Sequence, residues 1–249
     1  MHPSKKIGHV NQAEAVELFS LTVHYYSFIK QTPLEQKIAK RADWVDGTLL
    51  SIVVITICWF ALFSPWTRHY INFWWTISIS SILISILAGH YHPEWTLDID
   101  IDKKNITAGL CLAVVLWIVC YFGTRWAASF YPEMKASLSH IRQINDDPVY
   151  LILAIPLCLL MGQAEEVFWR GYIQKVFSEK WNANVGFAIT AILYPLMYAW
   201  SLNWVLIIGI FIMGLVWGGL CRYNPRWLTM VMISHAVLNA MIFMFFPTV

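Results

Sequence analysis

Charge is what this sequence has least of. Only 13% of its 249 residues are Asp, Glu, Lys or Arg, where a soluble domain carries roughly a quarter. The mean hydropathy of +0.56 points the same way. An ordinary soluble domain is excluded, and an integral membrane protein is indicated. The net charge is only +2, and no basic patch is interleaved with aromatics, so nucleic acid is not expected as a partner. Paired cysteines are missing as well. Cys58, Cys111, Cys120, Cys158 and Cys221 form no C-x-x-C pair, which argues against a disulfide framework or a zinc knuckle. They read as small buried hydrophobes. Walker A and Rossmann glycine patterns are absent. Ser234 and Cys158 have no adjacent base, which argues against a serine or cysteine protease. The N-terminal stretch M-H-P-S-K-K-I-G-H-V-N-Q-A-E has no uninterrupted apolar run and does not read as a signal peptide.

What the chain does have is apolar runs near the length of a spanning helix. Seven are predicted, at about 48–63, 71–88, 106–122, 149–177, 185–200, 204–220 and 227–246. The expected fold is therefore an all-α polytopic membrane bundle of about seven helices, with six possible because the first run is short. Three regions are predicted. Residues 1–47 form a cytoplasmic or interfacial preface, either a helix lying on the membrane or a solvated tether. Residues 48–148 hold front membrane helices of unassigned role, ending in a polar stretch from Tyr131 to Pro148. Residues 149–249 form the bundle that carries the chemistry. With the N-terminus in the cytoplasm, only Arg68, Arg125, Lys135 and Arg142 fall on the far side, as the positive-inside rule requires. This topology puts the acidic motif described next at mid-depth or towards the cytoplasm, and Tyr198 nearer the far side.

The chain is organised around Gly162–Tyr172, G-Q-A-E-E-V-F-W-R-G-Y, where two carboxylates and an arginine interrupt an apolar run. Ionisable groups at membrane depth are costly unless they face protein or a watery cavity. On a helix, Glu166 and Arg170 share a face and can pair, whereas Glu165 points about 100° away. A paired carboxylate is structural; an unpaired one in an apolar site can have its pKa raised towards the range of a general base. The expectation is that Glu165 does chemistry and that Glu166 with Arg170 holds it in place. The seventh segment adds His235 and Asn239, four apart and on one face. The fifth adds Tyr194 and Tyr198 around Pro195, either an ordinary aromatic core face or part of the site. The sixth supplies Gly214, Gly218 and Gly219, which permit close helix approach. Phe168 and Trp169 read as bulk. Three ligands of the His, Glu or Asp kind do not assemble within the membrane, so no metal and no cofactor are expected. His90 and His92 in G-H-Y-H-P-E-W read as solvated residues of a surface turn.

These motifs resemble those of the CAAX-protease and bacteriocin-processing family, the glutamic-type intramembrane proteases. E-E-x-x-x-R is matched by Glu165, Glu166 and Arg170, and the late H-x-x-x-N by His235 and Asn239. G-L-V-W-G-G-L-C-R-Y-N-P-R-W is similar to the family's glycine-rich helix and following turn. The likeness covers roughly residues 150–245. One position departs: where the family has F-x-x-x-H, this chain has Tyr194-Pro-Leu-Met-Tyr198, so Tyr198 replaces the histidine. The resemblance implies an intramembrane endopeptidase acting near the C-terminus of a membrane-tethered peptide or protein. Glu165 would activate a water, Tyr198 would stand in for the second water-orienting group, and His235 with Asn239 would stabilise the oxyanion. It also implies a multi-pass protein of the bacterial inner membrane. The phenol of Tyr198 can hydrogen-bond a water but is no base at neutral pH. The departure therefore keeps open a catalytically inactive member that binds peptides or confers bacteriocin immunity. A carboxylate-relay transporter is disfavoured by the lack of an inverted repeat.

Overall fold

The computed structural model describes residues 33–130 and 148–245. The expected interfacial helix around Ala15–Ile29 and most of the polar stretch from Tyr131 lie outside them. Two compact units are present, Met1–Gly47 and Thr48–Val249. Of the first, the described part is the start of a helix, and the second holds everything discussed below.

The described residues are helical, with no strand among them. Eight α-helices follow in order: α1 Pro33–Phe63, α2 Phe73–Tyr91, α3 Lys103–Phe130, α4 Pro148–Glu166, α5 Gln174–Lys180, α6 Ala183–Met197, α7 Trp204–Tyr223 and α8 Leu228–Phe245. A π-helical turn, Val167–Ile173, joins α4 to α5. Every one of the seven apolar segments falls on this set, the fourth spanning α4, the π turn and α5. Four helices (Phe73–Tyr91, Lys103–Phe130, Ala183–Ser201 including a closing 3-10 turn, and Trp204–Tyr223) are long and apolar enough to cross a membrane, and Gly47–Phe63 is a shorter apolar stretch. The protein is a multi-pass integral membrane protein.

Polar punctuation sets the helix starts. The side chains of Asn72, Asn182 and Asn203 each accept from backbone N–H groups of the first turn of α2, α6 and α7, satisfying donors that would otherwise face the apolar phase unpaired. Two boundaries differ from expectation. Asp46-Gly47 lies inside α1, and α3 runs through Gly123 to Phe130. An interior glycine weakens a helix by about 1 kcal/mol but does not end it without a competing cap. At Gly123 a Cβ would meet nothing within 4 Å, so no close neighbour demands a turn there.

Small residues bring α3, α4 and α8 together. A Cβ on Gly109 would stand 2.7 Å from the Met230 carbonyl, and one on Gly162 would stand 2.6 Å from Ala236 Cα. Backbones approach this closely only where a side chain is missing. The core that results includes Leu116, Met213, Trp217, Leu228, Val231 and Leu238. It fixes α8, and with it His235, against α3 and α7.

Candidate active site

Glu165 and Glu166 end α4, fully buried, and the π turn begins one residue later. π turns are rare and occur mostly at functional sites. Here all seven residues from Val167 to Ile173 are buried, so Phe168, Trp169 and Tyr172 pack into protein rather than lipid. Phe168 meets Trp169 and Tyr172 edge-on.

The two acids have different partners. Arg170 Nη1 donates to Glu166 Oε1 at 3.0 Å, and His235 Nδ1 lies 2.7 Å from the same oxygen. With Glu166 ionised, Nδ1–H is the donor, which fixes the tautomer and leaves Nε2 as the ring nitrogen not used by Glu166. Glu165 instead receives the Tyr198 hydroxyl, 3.1 Å from Oε1 and 3.0 Å from Oε2. Adjacent carboxylates thus enter separate networks, one cationic and one phenolic. Charge-assisted bonds of this kind are strong when desolvated.

The structure brings Tyr198 and Glu165 to one depth, against the expectation that they lie apart. The hairpin explains why. Glu165 precedes Lys180 by 15 residues, and Tyr198 follows Ala183, across a short turn, by 15. At 1.5 Å per residue both stand about 22 Å from the same end. Asn239 is less engaged: it is half-buried, its Nδ2 has no hydrogen-bond partner among the described residues, and no hydrogen bond joins it to His235. His92 departs from the solvated turn expected for it. It is 6% exposed, its ring stacked 6.2 Å from that of Tyr172 and set between Glu94 (3.6 Å) and Glu179 (3.7 Å). Burial pulls its pKa below the ordinary histidine value, and the carboxylates of Glu179 and Glu94 oppose that. His90 is exposed. Among the described residues no group of three or more His, Cys, Asp or Glu is arranged to hold a metal.

Further residues shape the site. Trp217 stacks on His235, with ring centroids 4.1 Å apart and planes at 20°, and its indole N–H donates to Ser234 Oγ at 3.3 Å. The Arg170 guanidinium carbon lies 4.5 Å from the centroid of Tyr194 and 5.8 Å from that of Trp217, distances typical of cation–π contacts. Gly214 makes room for the Tyr194 ring, which a Cβ there would meet at 3.1 Å, and its carbonyl accepts from Arg170 Nη2 at 3.4 Å. Gly218 likewise admits Gln174, which donates to its carbonyl at 2.9 Å. Gly219 has ordinary room. From the front of the chain, Trp59 and Phe63 of α1 pack on the Tyr198 ring at 6.1 and 4.9 Å. The fourth position of G-L-V-W was the only sequence signal for Trp217, and nothing in the sequence pointed to Trp59.

Residues 147–241 match the family model described as Type II CAAX prenyl endopeptidase Rce1-like. The stretch that carries the site is similar to that family. No curated protein and no solved structure matches the chain. The match begins beside Pro148, the first residue of α4, and ends two residues beyond Asn239. All six candidate residues, and Trp217 and Gly162 as well, therefore lie inside the matched segment, whereas Trp59 and Phe63 lie outside it.

Proposed function

We propose that the protein is an intramembrane endopeptidase that hydrolyses a peptide bond near the C-terminus of a membrane-tethered protein or peptide. The observation that carries this reading is the division of labour between two adjacent, fully buried carboxylates. Glu166 is neutralised by Arg170 and tied to His235; Glu165 accepts from the Tyr198 hydroxyl and has no ion pair within 4 Å among the described residues. A carboxylate without a cationic partner is the one able to take a proton from water. Glu165 is the general base, and Tyr198 orients the base and its water. His235, held by Glu166 and stacked on Trp217, offers Nε2 to the oxyanion when its ring is doubly protonated. Asn239, with its unpartnered Nδ2, is the second donor. Preorganised donors in a dry site act on developing charge far more strongly than in water. The family match supports peptide-bond hydrolysis, and the N-in topology with a bacterial inner-membrane location belongs to the same proposal.

A second reading has one observation in its favour. The Tyr198 hydroxyl lies within hydrogen-bonding distance of both Glu165 oxygens, capping the base instead of presenting it. On that reading the protein binds peptides, as an immunity protein would, without cutting them. Glu165→Gln decides between the two. Membrane-protein C-termini are compared by mass spectrometry in cells expressing equal amounts of native or variant chain. A protease leaves one or a few proteins with an extra C-terminal segment only in the variant. Identical termini, under conditions where the native chain has a phenotype, establish the binder.

A further inference from the structure

The polar residues of the buried network continue towards one end of the bundle. A pocket of about 70 Å³ lies there, its wall including Asp98, Arg170, Lys175, Cys221 and Arg222. Its cations are not equally occupied. Arg170 is matched by Glu166, and Lys175 by Asp98 at 2.6 Å. Arg222 has no carboxylate partner among the described residues; its Nε donates to the Asn184 side-chain oxygen at 2.7 Å and its Nη2 to the same atom. A neutral amide orients a guanidinium without cancelling its charge. Deeper in the wall, Arg170 is 4% exposed, and its Nε–H has no hydrogen-bond partner.

The pocket also sits at a defined level. Arg222 is the penultimate residue of α7, a helix long and apolar enough to cross a membrane, so its guanidinium lies where hydrocarbon gives way to headgroups. Trp181 and Tyr223, 52% and 78% exposed, mark the same end, as aromatics do at membrane interfaces. Basic pockets between membrane helices at this level suit anionic headgroups, and a guanidinium fork matches the geometry of a phosphate.

We propose that this pocket binds the phosphate of an anionic phospholipid, held by Arg222 at its mouth and by the free Arg170 Nε–H within. The site is independent of the hydrolytic reading and needs no catalytic activity to be seen.

Native mass spectrometry of the delipidated full chain tests it, with phosphatidylglycerol, phosphatidylcholine or inorganic phosphate added. The native chain is expected to prefer phosphatidylglycerol over phosphatidylcholine. Arg222→Gln should lower that preference by about fivefold, the weight of one interfacial cation, and Arg222→Lys should retain most of it. Arg125→Gln, which removes an exposed cation on α3 outside the pocket, should leave it unchanged. Competition by millimolar inorganic phosphate would identify free phosphate as an equal occupant; no competition assigns the site to the lipid. Equal binding of the two lipids, or equal losses in Arg222→Gln and Arg125→Gln, would each overturn the proposal.

Discussion

Gly162→Ala is the most searching single change to the site, because it alters only the distance between two helices. The added Cβ would stand 2.6 Å from Ala236 Cα, 2.7 Å from Ala236 N and 3.0 Å from the His235 carbonyl carbon. All three are backbone atoms, so no side chain can swing aside. Reaching ordinary contact at about 3.4 Å requires α8 to retreat from α4 by about 0.8 Å. Glu166 lies one turn further along α4, and the same retreat would carry its 2.7 Å contact with His235 to about 3.5 Å, the edge of hydrogen bonding. Overpacking of this kind costs about 1–3 kcal/mol of stability. A displacement of about 1 Å in a catalytic group can cost about 100-fold in rate. Gly209→Ala on α7 is the control, since its Cβ would meet nothing within 4 Å; it should leave both properties unchanged or raise stability. Thermal unfolding in detergent reads the first effect, and the yield of the truncated C-terminus reads the second. Isotope-labelled histidine NMR would report the loss of the Nδ1 hydrogen bond directly. If Gly162→Ala keeps full turnover and an unshifted His235 signal, the close approach of α4 and α8 does not hold the site together.

Other perturbations separate the two carboxylate networks. Arg170→Ala leaves Glu166 buried with His235 alone and should destabilise the fold by about 3–5 kcal/mol, as a fall in unfolding temperature. Adding Glu166→Gln to it should recover part of that loss, because the uncompensated charge goes with it. Tyr198→Phe removes the hydroxyl from Glu165 and should lower cleavage by about 10²–10³-fold with little change in unfolding temperature; unchanged cleavage would show that the phenol has no part in the reaction. His92 lies outside the spanning segments and gives a pH signature. Its pKa is lowered by burial, so below about pH 6.5 the unfolded chain binds more protons than the folded one, and stability falls as the pH drops. Unfolding temperatures at pH 5 and pH 8 should differ more for the native chain than for His92→Gln.

The helices and one side of the site were legible in the sequence because both follow from periodicity within a single element. Seven apolar runs gave seven helical segments, and the four-residue spacing of Glu166 and Arg170 gave their ion pair, which survives at the edge of the π turn. What periodicity cannot show is which helix lies opposite. His235 has Asn239 one turn away on its own helix, and a reading along the chain pairs them; in the fold His235 turns instead to Glu166, 69 positions earlier. The stack of Trp217 on His235 and the packing of Trp59 on Tyr198 are likewise contacts between helices. His92 looked solvated because its neighbours in sequence are polar, whereas its burial comes from Tyr172, far along the chain.

One inter-helix contact was within reach of sequence arithmetic. In a helical hairpin, residues equally far from the turn share a depth, and Glu165 and Tyr198 flank the short connection between Lys180 and Ala183 at equal separations. The substitution at the histidine position therefore does not displace the second group from the base; it changes what that group can do. A phenol can donate to Glu165 and pass a hydrogen bond to water, but it cannot hold the proton that a histidine would share. On the proposed mechanism, all proton traffic then falls on Glu165. Tyr198→His restores the shared proton at the same depth, and it should raise cleavage if the native chain is an active but slow enzyme. If the native chain only binds, the same change should either create cleavage where none existed or leave binding alone, and measurement of truncated C-termini beside peptide affinity distinguishes the outcomes. A fall in cleavage on Tyr198→His would mean that the site has been rebuilt around the phenol, with Trp59 and Phe63 of α1 as part of that rebuilding. Loss of cleavage in Trp59→Leu, with the unfolding temperature preserved, would then place the front helices in the catalytic apparatus.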